Sequence, residues 1–213
     1  MGREFLEIFE EWADSYDDTV AEDSENEYSE VFKGYRSILN RVAELSNGHV
    51  LEFGSGTGNL TEILMKKGHN ITAIEPSEAM REIARKKLAG KVPILDGDFL
   101  HFPAVDSIHT IVSTYAFHHL TDQEKEIAIA KYAKLLKPGG KVVFGDTMYP
   151  SKEAYEQAIK EAKSSGCLAL AKDLQSEYYS TIPFLQMILE KNGFSVTFKR
   201  WNKFVWIMDS IKR

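Results

Sequence analysis

The sequence predicts an α/β fold in which βαβ units build a Rossmann-like, doubly wound and mostly parallel sheet. Between residues 50 and 146, short β-branched runs alternate with longer segments of helical pattern. Each of these helical segments ends at a glycine or a proline, as is typical of helix termini. The chain of 213 residues is long enough for one such domain with a substantial core.

The predicted strands and helices follow one another along this central region. The strands are runs rich in β-branched residues at 49–53, 71–75, 92–96, 110–114 and 141–146. The helices between them cover 59–67, 77–88 and 121–137. Thr121 and Glu124 have the spacing of a capping box, which marks where the last of these helices begins.

The C-terminal third of the chain breaks the alternation. Residues 151–180 have a helical composition, and a further helix is predicted over 183–191, ended by Asn192 and Gly193. The predicted strands at 194–198 and 204–209 are separated by only five residues. Such a link is too short for a parallel crossover, so the two strands either form an antiparallel hairpin or do not pair directly.

Residues 1–48 differ in composition from the rest and are predicted to form a helical N-terminal arm over a domain that spans 49–213. We expect two helices in the arm, separated by the acidic stretch 20–30, which should stay exposed. The arm also carries aromatic side chains that fit either core contacts or a mobile lid that excludes water from a site. They are Trp12, Tyr16, Tyr28, Phe32 and Tyr35.

Composition and charge exclude several classes of protein. With a net charge of −6 and a pI near 5.6, the chain has no electrostatic reason to bind nucleic acid or an anionic membrane. The first residues lack the pattern of a signal peptide, no apolar run approaches about 18 residues, and the single Cys167 cannot form an internal disulfide. We therefore expect a cytoplasmic monomer or homodimer that binds neither nucleic acid nor membrane.

The main chemical signal is the glycine-rich segment that follows the first predicted strand. Gly54, Gly56 and Gly58 lie between a strand and a helix, where the backbone can approach a nucleotide-type cofactor. Asn59 stands where a dinucleotide fingerprint has a small residue, which disfavours a nicotinamide-dependent oxidoreductase. Glu75 ends the next strand, 21 residues after Gly54, and can accept hydrogen bonds from both hydroxyls of a ribose. As an acid at a strand end, Glu75 should be exposed in the absence of ligand.

A second group of cofactor-binding candidates follows the third predicted strand. Asp98 offers a carboxylate to an amino group, and Phe99 offers an apolar wall beside a base. Both belong to the run AspGlyAspPhe at 96–99.

Four motifs resemble the motifs of class I S-adenosylmethionine-dependent methyltransferases and occur in the same order. The resemblance covers nearly the whole chain. The motifs are GluPheGlySerGlyThrGly, AlaIleGluProSer, AspGlyAspPhe and LeuLysProGlyGlyLys. More narrowly, TrpAlaAspSerTyrAsp at 12–17 and SerThrTyrAlaPheHisHisLeu at 113–120 resemble YrrT-type bacterial methyltransferases. The resemblance implies S-adenosylmethionine as cofactor and a seven-stranded sheet whose last strand is antiparallel.

The resemblance also implies roles for individual residues. Gly54, Ser55 and Gly56 would lie under the methionine part of the cofactor, and Thr114 with Tyr115 would approach its sulfonium. The full set of implied cofactor-binding residues is Tyr16, Gly54, Ser55, Gly56, Glu75, Pro76, Met80, Asp98, Phe99 and Thr114. One departure is His109, where similar enzymes usually carry Asp; we expect it to change local hydrogen bonding more than cofactor affinity, since it lies at the end of its strand away from the ligand crevice.

His118 and His119 follow the fourth predicted strand and are the candidates for catalysis. An imidazole there can take the proton of a methyl acceptor, and His119 is preferred because it lies closer to the turn into the next helix. Alternatively, the pair only shapes the pocket. No metal site is expected from His118, His119 and Asp146, because adjacent histidines on an extended segment point to opposite sides.

The sequence therefore favours a methyltransferase that acts on a small-molecule acceptor. The acidic charge and the run SerThrTyrAla at 113–116 disfavour a nucleic-acid methyltransferase, because enzymes that methylate exocyclic amines typically carry Asn-Pro-Pro-aromatic there. A protein methyltransferase and a non-catalytic S-adenosylmethionine-binding module stay open as alternatives.

Overall fold

Seven strands form one sheet in the computed structural model, which describes residues 10, 12–21 and 26–213. The strands are β1 His49–Phe53, β2 Asn70–Ile74, β3 Ile94–Leu95, β4 Thr110–Thr114, β5 Lys141–Thr147, β6 Phe194–Arg200 and β7 Val205–Lys212. Their order across the sheet is β3-β2-β1-β4-β5-β7-β6. The third strand is much shorter than the predicted 92–96, since only two of its residues pair with β2.

Strand directions confirm the predicted fold class. Neighbours among β1 to β5 are parallel, and β7 lies antiparallel between β5 and β6. Of the two alternatives left open for the last two strands, the antiparallel hairpin is correct, because all of β6 pairs with residues 206–212 of β7.

Nine helices of the described residues surround the sheet or form the arm. Those in the arm are α1 Tyr16–Thr19, α2 Ser29–Phe32 and α3 Tyr35–Leu45. The others are α4 Asn59–Lys66, α5 Glu78–Lys87, α6 Asp122–Leu135, α7 Lys152–Ser164, α8 Leu168–Ser176 and α9 Ile182–Lys191. The predicted capping box is present at α6, where the Thr121 side chain accepts from the Glu124 N–H and the Glu124 carboxylate accepts from the Thr121 N–H. None of the described helices is long and apolar enough to cross a membrane.

The sheet is covered on both faces, as a doubly wound fold requires. Val50 packs into a core with residues of the arm and of α4, α5, α7 and α8, whereas Leu51 packs into a second core with residues of α6 and α9. Successive residues of a strand point to opposite faces, so the nearly continuous apolar runs of β1 and β5 are buried on both sides.

The described part of the arm is helical, but it contains three helices where two were expected, and part of its acidic stretch is buried. Val20 is only 2% exposed and joins the core with α3, so the expectation that all of 20–30 stays exposed is wrong for this residue. Its apolar side chain packs inward while Glu27 and Glu30 stay exposed. Residues 22–25 of the stretch and the first nine residues of the arm lie outside the described part of the chain.

His109 lies just before β4, at the end of the sheet opposite the crevice described below. Its Nδ1 accepts from the His49 N–H at 3.2 Å, so the residue contributes to local hydrogen bonding. It also packs tightly on Gly48, where a Cβ would stand 2.5 Å from the imidazole Cγ. Its effect on cofactor affinity stays a prediction.

Candidate active site

A pocket opens at the carboxyl ends of the parallel strands, where β1 and β4 lie side by side and their connections leave in opposite directions. Residues after β1, β2, β3 and β4 border it, together with the arm, α8 and the segment that follows α8. The cavity has a volume of about 190 Å³. Open α/β sheets bind their ligands in a crevice at this position.

Most residues singled out from the sequence border this pocket. They are Tyr16, Gly54, Gly56, Glu75, Pro76, Met80, Asp98, Phe99, Thr114, His118 and His119. Ser55 is not among them, and it is only 6% exposed. The structure thus brings the candidates together, while the role of each one stays a prediction.

Glu75 is enclosed by backbone donors instead of being exposed. The Gly56 N–H donates to its Oε2 at 2.8 Å, and the Ser77 N–H donates to its Oε1 at 2.9 Å. The residue is 5% exposed, so the expectation of an exposed strand-end acid is wrong. Burial raises the pKa of Glu75 to about 7, although the two backbone hydrogen bonds work in the other direction. The carboxyl joins the glycine loop to the start of α5.

Asp98 and Phe99 form another wall of the pocket. The Leu100 and His101 N–H groups both donate to Asp98 Oδ1 at 2.8 Å, which fixes this carboxylate in a turn. The Phe99 ring stacks on Phe53 with 5.3 Å between centroids. These contacts hold both side chains in place before any ligand enters.

The arm covers the pocket and is attached to the glycine loop through Asp17. Its Oδ1 accepts from Thr57 Oγ1 at 2.6 Å and from Asn59 Nδ2 at 3.0 Å, and its Oδ2 pairs with Lys87 Nζ at 2.6 Å. The neighbouring Tyr16 borders the pocket. Helix α1 of the arm therefore lies against the predicted cofactor loop.

Other aromatic residues of the arm also face this pocket. Trp12, Tyr28 and Phe32 border it, and the Tyr28 hydroxyl donates to the Asp173 carboxylate at the end of α8. Phe32 is a buried core residue that also lines the pocket, as the interpretation as a core contact expects. The interpretation as a mobile lid stays a prediction.

His118 and His119 lie together on a 3₁₀ turn, Phe117–His119, between β4 and α6. Their ring centroids are 4.2 Å apart, so the assumption of an extended segment with opposed imidazoles is wrong. A helical turn places successive side chains on neighbouring sides, which an extended strand does not. His118 Nδ1 donates to Asp146 Oδ1 at 2.6 Å, and its Nε2 stands 3.5 Å from Glu177 Oε2. His119 Nδ1 is 3.8 Å from Glu177 Oε1.

The two imidazoles have opposite electrostatic environments. Burial alone would lower the pKa of His118, but the carboxylates of Asp146 and Glu177 outweigh it and raise that pKa above its usual value. Burial lowers the pKa of His119 well below its usual value, and the charges of His118 and Lys125 add to this. His119 is therefore a neutral imidazole at neutral pH, whereas His118 is held between two carboxylates.

Sequence reasoning missed the residues that come from α8 and the segment after it. Asp173, Glu177 and Tyr179 all border the pocket, and the Tyr179 hydroxyl donates to Glu177. A backbone hydrogen bond of 3.0 Å from the Tyr178 N–H to the His118 carbonyl holds this segment against the histidine turn. Only the helical composition of 151–180 pointed to this region, and it carried no pattern that singled out these side chains.

Comparisons with known proteins agree with this geometry. A model of the methyltransferase domain matches residues 50–140. A curated relative from Anoxybacillus flavithermus, described as an uncharacterized methyltransferase, is 56% identical over 214 residues and covers all of both chains. A relative of the same description from Geobacillus kaustophilus is 53% identical and covers 100% of this chain and 99% of its own.

The chain belongs to this family of methyltransferases. Among solved structures, magnesium protoporphyrin IX methyltransferase from Synechocystis with bound S-adenosylmethionine matches with a TM-score of 0.68 and 14% identity, covering 98% of this chain and 97% of its own. A Thermotoga maritima protein described as a possible histamine N-methyltransferase matches with a TM-score of 0.67 and 19% identity, covering 98% of this chain and 100% of its own. The fold likeness confirms the class I architecture. The methyl donor of this methyltransferase is S-adenosylmethionine, which agrees with the argument from Asn59 against a nicotinamide-dependent oxidoreductase.

The pocket of the methyltransferase fits such a donor at the glycine loop. Gly56 adopts a left-handed φ of +53°, and a Cβ built on it would meet no protein atom within 4 Å. A side chain there would occupy the open space in front of the loop. Beside it stands the buried Glu75 carboxyl, which still has lone pairs for ligand hydroxyls, since each oxygen accepts one hydrogen bond from the protein backbone.

Proposed function

We propose that this methyltransferase transfers the methyl group of S-adenosylmethionine to a small-molecule acceptor inside the arm-covered pocket. The observation that carries the proposal is that two separate clusters of contacting groups border this pocket under the arm. In the first, the cofactor end, the Glu75 carboxyl accepts from the Gly56 N–H of the glycine loop. In the second, the acceptor end, His118 and His119 lie beside Glu177. An acceptor end that is closed over by the arm suits a small molecule better than a nucleic acid or a folded protein.

For the cofactor end, we propose that Glu75 holds the ribose and that Asp98 and Phe99 hold the adenine, with Met80 beside it. Gly54, Ser55 and Gly56 provide the loop under the methionine part, Ser55 acting through its backbone because its side chain is buried. Pro76, Thr114 and Tyr16 complete this end as residues of its wall.

At the acceptor end, the task of the protein is alignment, exclusion of water and removal of a proton. S-adenosylmethionine supplies a methyl group on a sulfonium, which is already electrophilic. Holding the two reactants in contact contributes up to about 7–11 kcal/mol. The geometry supports the neutral form of His118, over the sequence-preferred His119, as the proton acceptor, because Asp146 fixes its Nδ1 and directs its Nε2 to the side of Glu177, which borders the pocket.

We also propose that the arm is a lid. Its contacts with the rest of the chain at the pocket include the hydrogen bonds of Asp17 with Thr57 and Asn59 and that of Tyr28 with Asp173. These hydrogen bonds are polar, whereas Val20 and Phe32 of the arm are buried in one of the cores, so opening would also expose some apolar surface. An opening of this kind would admit cofactor and acceptor, and closure would remove water from the site.

The test is to incubate the protein with a cell extract and S-adenosylmethionine labelled in its methyl group, and then to separate small molecules from protein and nucleic acid. Label should appear in the small-molecule fraction. The control is Gly56→Ala, whose Cβ enters the open space in front of the glycine loop and should reduce the transfer of label. Because its φ of +53° strains the substitution, circular dichroism must show that the variant is folded at the assay temperature. Label confined to the macromolecular fraction would overturn the assignment of a small-molecule acceptor.

A further inference from the structure

We propose that His118, His119 and Glu177 bind a divalent transition-metal ion at the acceptor end of the pocket. The proposal deepens the proposed function and rests on it where the role of the ion is concerned, whereas ion binding itself can be measured separately. Two imidazoles and one carboxylate are the ligands of a three-residue metal site with open positions for water or substrate.

The spacing of the ligand atoms suits a metal ion. One ligand atom from each of the three residues lies within 4.8 Å of the others. Two of the separations are 3.5 Å, from His118 Nε2 to Glu177 Oε2, and 3.8 Å, from His119 Nδ1 to Glu177 Oε1. Ligands about 2.0–2.1 Å from a tetrahedral zinc ion stand about 3.3–3.4 Å apart. Side-chain movements of at most about 1.5 Å would therefore bring all three ligand atoms to this spacing.

The surroundings hold His118 in the orientation that a metal ligand needs. Asp146 accepts its Nδ1–H at 2.6 Å, and Asp146 is itself fixed by the Thr147 N–H at 2.7 Å. A histidine that binds a metal through one nitrogen commonly donates its other N–H to a carboxylate in this way. This arrangement directs Nε2 of His118 toward Glu177 and the pocket.

The backbone also brings the ligands together before any ion binds. The histidines share one 3₁₀ turn, and the hydrogen bond from the Tyr178 N–H to the His118 carbonyl attaches the segment carrying Glu177 to that turn. Tyr179 donates to the Glu177 carboxylate and limits its rotation. A site whose ligands are held by their neighbours loses less conformational entropy when it binds.

The nitrogen and oxygen ligands indicate the kind of ion and the kind of acceptor. Imidazole favours zinc, cobalt, nickel or iron over magnesium and calcium, which prefer oxygen ligands. All three residues border the pocket, so an open coordination position would face the acceptor. A hydroxyl or thiol acceptor that binds there loses its proton to solvent as its oxygen or sulfur coordinates the ion. In the metal-loaded protein, the ion thus replaces His118 as the group that activates the acceptor.

The experiment titrates chelator-treated protein with Co²⁺ and follows its visible absorption, and then displaces Co²⁺ with Zn²⁺. We expect one ion per chain, with affinity reduced at least about tenfold in Glu177→Gln and in His119→Gln, and about 10–100-fold in Asp146→Asn. The matched control is His109→Gln, which removes an exposed histidine at the other end of β4 and should leave binding unchanged.

Glu177→Gln keeps an oxygen that can accept from Tyr179, so it preserves the test if a histidine variant does not fold. Wild-type binding of S-adenosylmethionine, measured by calorimetry without metal, separates the two proposals. Normal cofactor binding together with no Co²⁺ binding, or equal Co²⁺ binding in Glu177→Gln and wild type, would overturn the metal site and leave the proposed function standing. Metal binding without any transfer of label to small molecules would overturn the proposed function and leave the metal site standing.

Discussion

Replacing Glu75 by Gln tests the cofactor end of the pocket directly, because it removes the charge and keeps the shape. If the ionised carboxylate accepts hydrogen bonds from the ribose, its protonation must weaken binding. The pKa of Glu75 is raised to about 7 by burial. Between pH 6 and pH 8, the ionised fraction of such a group rises from about one-tenth to about nine-tenths. Ribose binding to the wild type should therefore strengthen by up to about tenfold over this range.

The Gln variant has no such titration, so its affinity should be flat across the same range. At pH 8 it should also bind more weakly, because a hydrogen bond to a charged group contributes about 1.5–3 kcal/mol, which corresponds to roughly ten- to a hundredfold in the dissociation constant. The amide would in addition turn its NH₂ toward one of the two backbone donors, Gly56 or Ser77.

Calorimetry with adenosine is the suitable assay. Adenosine carries the ribose and the base, whereas the amino group of S-adenosylmethionine itself titrates near about 7.7–8.0 and would obscure the result. The control is Glu52→Gln, which alters a second buried carboxyl that does not border the pocket. Equal pH dependence of adenosine binding in wild type and Glu75→Gln would refute the ribose assignment. Loss of the pH dependence in Glu52→Gln would show that Glu52, and not Glu75, is the titrating carboxyl.

Three further predictions concern stability and the lid. Burial raises the pKa of Glu52 from its ordinary 4.5 to about 8, so its contribution to stability is full at acid pH and is lost as pH rises between these two values. Between pH 5 and pH 9, the free energy of unfolding measured in urea should therefore fall by on the order of 3–5 kcal/mol more in wild type than in Glu52→Gln. Gly54→Ala should lower the melting temperature more than Gly56→Ala, because its Cβ would stand 2.6 Å from a neighbouring side chain, whereas Gly56→Ala should weaken cofactor binding more. Asp17→Asn should speed cofactor release about fivefold in stopped-flow measurements with little change in stability, and its neighbour variant Asp18→Asn should not.

The cofactor end could be predicted from the sequence because its signals are local. Gly54, Glu75 and Asp98 each follow a strand, and the carboxyl ends of parallel strands meet at one edge of the sheet. The burial of Glu75 could not be predicted in this way. It depends on the Gly56 and Ser77 N–H groups, which become donors to one carboxyl only when the loop and α5 are in place.

The acceptor end escaped prediction because it is assembled from distant parts of the chain. The backbone hydrogen bond between Tyr178 and His118 joins segments 60 residues apart and helps to bring Glu177 to the histidine turn, as does the stacking of Tyr179 on His118. The conformation of the His pair was also unpredictable, since a turn of three residues has no periodicity to detect.

The arm connects the two ends of the pocket, and this has a consequence for the order of events. Asp17 accepts hydrogen bonds from Thr57 and Asn59 beside the glycine loop, while Tyr28 donates to Asp173 on the acceptor side. If the arm moves as a lid, one opening therefore breaks the hydrogen bonds at both ends, and the donor and acceptor exchange through the same movement. Removing a hydrogen bond at one end then favours opening at the other end as well, because the opening movement has one hydrogen bond fewer to break. We therefore expect Tyr28→Phe, which changes only the acceptor side, to speed the release of a cofactor that it does not bind.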